Sequence, residues 1–373
     1  MIAISLLCGA AGLFLIWLAL SDVFQSVIVP RAASRRLRIS SGLSRGLWSV
    51  WQRAAWRIKD GEKREDALST FAPLAMVTLL AAWVLTLVVG YGLIFYGLRF
   101  ELRPQPIGFW TAVYFAGTSL LTIGYGDIVS SHGLSRLAAL CAGASGLGVV
   151  AVVTAYLFAI FGAFQRRETF VVTVGARAGA PPSGTGLLAI HALFQMQDDL
   201  SELFHEGQSW SAEVMESILA YPILALFRSS HDYESWVGTL GTLLDAAVLL
   251  MTTIDGEKSG QARIFYNVAR HATNDLAHYF DLMPGDPTVG VERSEFDHAC
   301  TRLEEAGYTL RDPETAWRSF AELRSAYAAH LNSMARYLQI PPLQWIGDRS
   351  LISAPHVAGI MPEEALKVGI PGL

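Results

Sequence analysis

Three long apolar runs organise the first half of the chain: residues 2–29 (IAISLLCGAAGLFLIWLALSDVFQSVIV), 71–98 (FAPLAMVTLLAAWVLTLVVGYGLIFYGL) and 137–165 (LAALCAGASGLGVVAVVTAYLFAIFGAFQ). Each exceeds the roughly 20 residues with which a helix crosses a bilayer, so the pattern predicts three membrane helices. The first run has no positive segment before it, is longer than the apolar core of a secretory leader and shows no cleavage site, and it reads as a retained helix. Beyond residue 168 the pattern changes. Residues 169–176 (TFVVTVGA) are β-branched and predict a short strand, and Pro181, Pro182, Ser183, Gly184 and Gly186 mark a linker. Helical periodicity then predicts helices near 186–206, 210–229, 232–255, 259–282, 293–306 and 313–338, the last announced by Asp312 before Pro313. Val237 to Ile254 is apolar enough for a fourth span. Asp245 sits in its middle, however, and a crossing would move the rest of the chain across without any charge bias, so a buried bundle helix is expected. The tail from Pro341 to Leu373, with five prolines, reads as an arm or a partly disordered segment.

Charge adds orientation. Of 373 residues 52% are hydrophobic and 16% charged, below the roughly 25% charged of soluble proteins. Residues 1–168 hold 15 Lys+Arg against 8 Asp+Glu, a net of +7, whereas residues 169–373 hold 13 against 25, a net of −12. An acidic half without a basic patch excludes nucleic acid as the expected partner. Ten basic residues lie between the first two runs, but only Arg99, Arg103 and Arg136 between the second and third. Basic loops stay inside, which puts the N-terminus outside, residues 99–136 outside and the acidic half in the cytoplasm. In the basic loop Leu47, Trp48, Trp51, Ala55 and Ile58 share one helical face, as in a helix lying in the headgroup plane; a short helix packed on protein fits the same pattern. Asp22, the acid of the first run, is expected to pair with Arg31 or to snorkel to the inner boundary. Cys8, Cys141 and Cys300 stand far apart and suggest neither a disulfide framework nor a zinc site.

The outward loop holds Gly108 to Leu121 (GFWTAVYFAGTSLL), about half a span long, followed by Thr122-Ile123-Gly124-Tyr125-Gly126-Asp127. A short apolar segment of this kind is expected to be re-entrant. Glycines on both sides of Tyr125 tolerate left-handed φ values, so successive carbonyls can point to one axis. If four chains met, the carbonyls of Thr122, Ile123, Gly124 and Tyr125 and the Thr122 hydroxyl would form stacked rings able to replace a monovalent cation's hydration shell.

In this TIGYGD segment, set between two apolar runs, the sequence resembles the potassium channel pore family, whose typical loop reads TVGYG. The resemblance covers residues 71 to about 165. It implies a homotetramer in a lipid bilayer conducting K+ through a selectivity filter at residues 122–127, with the filter helix aiming its negative C-terminal end at a water-filled cavity. Asp127 matches the acid of the outer mouth, where it may be imagined both concentrating cations and tying the filter to Tyr114. Gly146 matches the inner-helix hinge, although Gly143, Ser145 and Gly148 around it equally suit close helix packing. Leu147, Val150 and Thr154 would then line the cavity, and Phe158 and Phe161 would meet where inner helices converge and gate by dewetting, unless these aromatics face lipid. Leu121 replaces a second Thr found in many members, a change expected to act on blockers more than on selectivity. His132 offers sensitivity to outside pH or is a plain exposed loop histidine. The leading helix, ending in Asp22-Val23-Phe24 and Val29-Pro30-Arg31, resembles that of a group of bacterial channel-like proteins, which implies a prokaryotic inner membrane.

The expected architecture is thus an all-α membrane protein, not an enzyme: a leading helix (1–30), a basic cytoplasmic loop (31–70), a tetrameric pore domain (71–167), a linker (168–185), a helical cytoplasmic domain (186–340) and a tail (341–373). No GxGxxG or Walker loop identifies a regulatory ligand. His271, Asp275 and His278 share a helical face with spacing that suits a divalent ion, or a hydrogen-bonded cluster or solvated face. The acidic excess beneath a pore would concentrate cations within about 10 Å. A transporter subunit and a non-conducting membrane sensor are the competing functions; the first usually carries four degenerate loops in one chain.

Overall fold

The computed structural model describes residues 2–27, 39–55, 57, 58, 60–179, 181–229, 234–282, 288–340 and 343–346. Arg31 to Arg38 and most of the proline-rich tail lie outside them, and with them the Asp22–Arg31 pairing and the tail's character. Among the described residues the fold is all-α, with twelve helices and one two-stranded ribbon, and it divides into two units, Met1–Gly162 with Ala220–Phe227, and Ala163–Leu219 with Arg228–Leu373.

The first unit contains α1 (Ile2–Val27), α2 (Ile39–Ala55), α3 (Gly61–Gly97), β1 (Leu102–Arg103), α4 (Phe109–Leu120), β2 (Val129–Ser130) and the start of α5 (Gly133–Ala178). The segments Ala3–Val27, Lys63–Gly97 and Gly133–Ala178 are long and apolar enough to cross a membrane. Their outer faces suit that solvent: Leu7, Trp17, Val77, Leu85 and Leu140 are all more than half exposed, a surface that water would not tolerate. α1 and α3 approach closely at Gly12, where an added Cβ would stand 2.5 Å from the Gly90 carbonyl oxygen. Helices in lipid adhere through such small-residue contacts, because lipid tails are as apolar as leucine. α3 begins ten residues before its apolar run, and its charged first turns receive α2. Trp48 is buried against Phe71, with ring centroids 4.7 Å apart, and the Trp51 indole donates to the Ala67 carbonyl at 2.8 Å. The tryptophan face expected in the headgroups is therefore spent on α3.

In the second unit α5 runs on without a break to Ala178, so the expected strand at 169–176, and a linker beginning at 168, are replaced by helix. The β-branched run keeps helical geometry because Thr169 and Thr173 donate their hydroxyls to the carbonyls four residues back, at 2.9 and 2.8 Å, while Arg167, Val171, Val174 and Ala178 form one buried stripe. The linker proper shrinks to a turn at Gly179, φ +87°, before Ser183 caps the next helix through the Gly186 N–H. There follow α6 (Gly184–Leu193), α7 (Asp199–Ala220), α8 (Trp236–Thr252), α9 (Gly260–Tyr279), α10 (Arg293–Glu305), α11 (Pro313–Ser325) and α12 (Ala328–Tyr337). Two expected helices are shorter than their periodicity suggested. The first ends where Gln195 turns left-handed (φ +58°), and the last is divided at Tyr327. Asp312 caps α11 as its sequence announced, accepting from the Thr315 N–H at 3.0 Å.

Every residue of α8 is buried, which fixes it as the bundle's central helix. Its one charge, Asp245, is met by Arg324 of α11 and by Tyr327 from the break before α12. Arg324 Nε donates to Asp245 Oδ1 at 2.9 Å, Tyr327 donates to the same oxygen at 2.5 Å, and the guanidinium also donates to the Val289 and Trp345 carbonyls. Burial pushes the Asp245 carboxyl above its ordinary range, and Arg324 and Tyr327 oppose that shift. The division before α12 is explained by this centre, which needs the Tyr327 hydroxyl turned inward. Removing one partner of such a pair strands the other charge, so Asp245→Ala is expected to destabilise the bundle by about 3–5 kcal/mol, whereas Asp245→Leu with Arg324→Met should regain most of it. Thermal unfolding of the purified variants in detergent, followed by circular dichroism, measures both.

Candidate functional site

α4 starts from Gly108, in extended conformation, and buries Ala112, Phe115, Ala116 and Leu120. The Phe115 ring meets Phe95 of α3 edge-on at 4.7 Å between centroids, and Gly92 leaves room for Val113, whose Cγ2 would lie 2.7 Å from a Cβ there. α4 is thereby held tightly along one side, and its C-terminal carbonyls are fixed in place.

Those carbonyls fold the next segment. The N–H of Thr122 donates to the Ser119 carbonyl at 3.2 Å, and the N–H groups of Ile123 and Gly124 both donate to the Thr118 carbonyl, at 2.8 and 3.3 Å. Along the same residues the sign of φ alternates: +55° at Thr122, +62° at Gly124 and +80° at Gly126, with Ile123 and Tyr125 outside the left-handed region. Alternation of hand turns successive peptide planes alike, gathering N–H groups on one side and leaving C=O groups on the other. Here the N–H side faces the end of α4. The carbonyls of Thr122, Ile123, Gly124 and Tyr125 accept no hydrogen bond from any described residue. Left-handed φ at a β-branched residue costs on the order of 1–3 kcal/mol, so Thr122 is held there by its neighbours and not by preference. A row of unsatisfied carbonyl oxygens on an exposed ribbon is a ligand set for a cation that has shed water.

The exit of this ribbon is also fixed. Asp127 is exposed, while Ile128 is buried. β2 then pairs antiparallel with β1, Leu102 opposite Ser130. Glu101 secures the corner: its carbonyl accepts from the Ser131 N–H and its carboxylate from the Ser135 N–H, both at 2.9 Å, at the start of α5. His132, beside it, is exposed and bonded to the Ser131 hydroxyl. Neither Glu101 nor Thr118 was singled out by the sequence. Glu101 resembles any loop acid, and Thr118 acts through its backbone.

α5 crosses directly behind the ribbon. A Cβ on Gly146 would stand 1.8 Å from the Leu120 carbonyl oxygen, and Gly143 faces the Ser119 carbonyl. Gly146 thus sits at a helix crossing that admits no side chain, and α5 is unbroken there. The Tyr91 and Ser145 hydroxyls share a hydrogen bond of 2.7 Å that joins α3 to α5. Leu147, Val150, Thr154, Phe158 and Phe161 all lie on an exposed face of α5, opposite the stripe that packs on its own chain. The Thr154 hydroxyl turns back to the Val150 carbonyl at 2.8 Å, and the Phe161 ring meets Phe227 edge-on. Far from these, His271 and Asp275 form an exposed pair 3.5 Å apart with His278 on the same helix; among the described residues no group of three or more His, Cys, Asp or Glu could hold a metal ion.

These features define an all-α protein with three helices long and apolar enough to cross a membrane. Residues 81–163, from α3 through the ribbon to α5, match a protein family described as "Ion channel". The chain is also similar to the "Uncharacterized membrane protein YdjJ" of Bacillus subtilis (strain 168), at 22% identity over 298 residues covering 77% of this chain and 84% of that protein. No solved structure matches it significantly.

The crossing at Gly146 separates two glycines that the sequence treats alike. Gly146→Ala must displace the Leu120 carbonyl and is expected to cost about 1–3 kcal/mol of stability, while Gly148→Ala, with open space around its Cβ, should be neutral or gain up to about 1 kcal/mol of helix propensity. Melting temperatures of the two variants in the same detergent distinguish them.

Proposed function

We propose that the chain is one subunit of a homotetrameric, potassium-selective channel in a bacterial inner membrane, conducting K+ passively down its electrochemical gradient. The observation that carries this reading is the ribbon at Thr122–Gly126: alternating φ, the first three N–H groups bonded to the end of α4, and the carbonyl oxygens of Thr122 to Tyr125 left without a partner among the described residues. Each chain supplies one such ribbon, and a single ribbon cannot surround an ion. Four copies about an axis replace the water around a dehydrated K+ with oxygens that cost no reorganisation.

The rest of the pore unit takes its place around that axis. Asp127 lines the outer mouth, held by Tyr114, where four carboxylates concentrate cations. Leu147, Val150 and Thr154 line the cavity, and Phe158 and Phe161 narrow it where four α5 helices converge. Their exposure in the single chain leaves this face of α5 available to neighbouring copies. The basic residues between the first two spans support an N-terminus outside and a C-terminal half inside.

The test is flux. Purified protein in liposomes should carry K+ and exclude Na+. Gly126→Ala, which puts a side chain at φ +80°, should abolish selective conduction while the protein still elutes as the wild-type oligomer. A variant that keeps its ion preference would show that the ribbon is not the filter.

A further inference from the structure

The acid of the first span has no part in the ion path described above, yet it is among the most deeply buried charges of the first unit. Asp22 is 2% exposed and Trp83 fully buried, and the Trp83 Nε1 donates to Asp22 Oδ2 at 2.7 Å, joining α1 to α3. A carboxylate inside a membrane helix bundle is costly without a partner, and a buried indole N–H seeks an acceptor, so each satisfies the other. Val23, Leu79 and Trp83 form a small core, and Val152 and Val153 of α5 pack against it. Val153 stands on the face of α5 that carries Gly146 and Val149 toward its own chain. The bond therefore fixes one member of the small core on which Val152 and Val153 of α5 pack.

We propose that Asp22 is a positioning residue for conduction: by fixing Trp83 within the core on which Val152 and Val153 pack, it makes α1 a brace that sets how α5 lies in the pore. This rests on the channel reading. The close contact of Gly12 with Gly90 holds the same seam nearer the other end of α1, so α1 is fixed at two points and the polar one reaches the inner helix. The element tested is the acceptor that Asp22 offers the indole N–H.

The experiment uses the full chain labelled with 5-fluorotryptophan, in detergent for fluorine NMR and in liposomes for K+ and Na+ flux. Trp83→Phe assigns the Trp83 resonance and removes the donor while keeping an aromatic ring. Asp22→Asn keeps an acceptor; Asp22→Ala does not. Asp22→Ala should move the Trp83 resonance and leave the other tryptophans in place, and both it and Trp83→Phe should change K+ flux by between about threefold and thirtyfold with K+/Na+ preference unaltered. Asp22→Asn should keep the wild-type resonance and flux. Asp22→Ala with wild-type flux overturns the proposal, as does Asp22→Asn behaving like Asp22→Ala, or a loss of ion preference, which would place the effect at the ribbon. Wild-type protein that carries no ion overturns the channel reading itself, and the positioning role with it; wild-type flux that ignores Asp22 overturns the positioning role alone.

Discussion

The Thr118 carbonyl, accepting from two consecutive N–H groups, is the contact on which the pore segment depends. A peptide ribbon in left on its own would satisfy its carbonyls by pairing with another strand or by curling into helix. Here the N–H groups are already taken by the end of α4, and alternating φ prevents the carbonyls from turning back to the same side. The oxygens are left with water or an ion. Everything else near the ribbon serves to keep Thr118 where it is: Phe95 against Phe115, Val113 over Gly92, Gly146 beneath Leu120, and Glu101 closing the corner on the far side. Left-handed Thr122 is the residue at which this restraint is stored as strain.

Glycine serves two unrelated ends in this unit. At Gly124 and Gly126 it supplies a backbone conformation, with open space where a side chain would stand. At Gly12, Gly90, Gly92 and Gly146 the backbone is ordinary helix, and what matters is the missing Cβ, since a neighbouring chain atom would lie within 3 Å of it. The first kind shapes the ligand set and the second brings helices close enough to hold it. Substitution distinguishes them physically: one fails through φ and the other through contact.

Much of this was legible in the sequence. The three candidate spans, the short apolar α4 and the buried α8 follow from run length and from the cost of placing Asp245 in lipid. The use of individual residues was less visible. Residues 169–176 look like a strand because β-branched propensity is local, whereas the helix that continues through them is decided by the buried stripe from Arg167 to Ala178 and by threonine hydroxyls bonding to the preceding turn. The Trp48 and Trp51 face has the composition of a headgroup helix, and only the position of α3, with Phe71 and the Ala67 carbonyl in reach, decides that it packs on protein. Asp22 could be seen to need a partner, but Trp83 lies 61 positions away, and no periodicity connects them. Gly146 could be read as a bend or as a contact; the distance to Leu120 makes it a contact.

The two units solve the problem of buried polarity differently. Burial of α8 among apolar neighbours is itself favourable, so the Asp245–Arg324–Tyr327 centre need not add stability. Its bonds tie α8 to α11 and to the break before α12. In lipid the apolar surface of α1 gains nothing by leaving the hydrocarbon, and the seam with α3 must be made by close backbone approach and by polar bonds whose alternative is an unsatisfied group. The Trp83–Asp22 and Tyr91–Ser145 bonds are of that kind, and each joins α3 to a different helix. α3 is consequently the helix against which both α1 and α5 are registered by hydrogen bonds. A movement of α5 that keeps these bonds must carry α3 with it, and one that does not must break the Tyr91–Ser145 bond where little water is present to replace it. Motion along α5 is therefore cheapest C-terminal to Ser145, beyond the bond that registers it on α3.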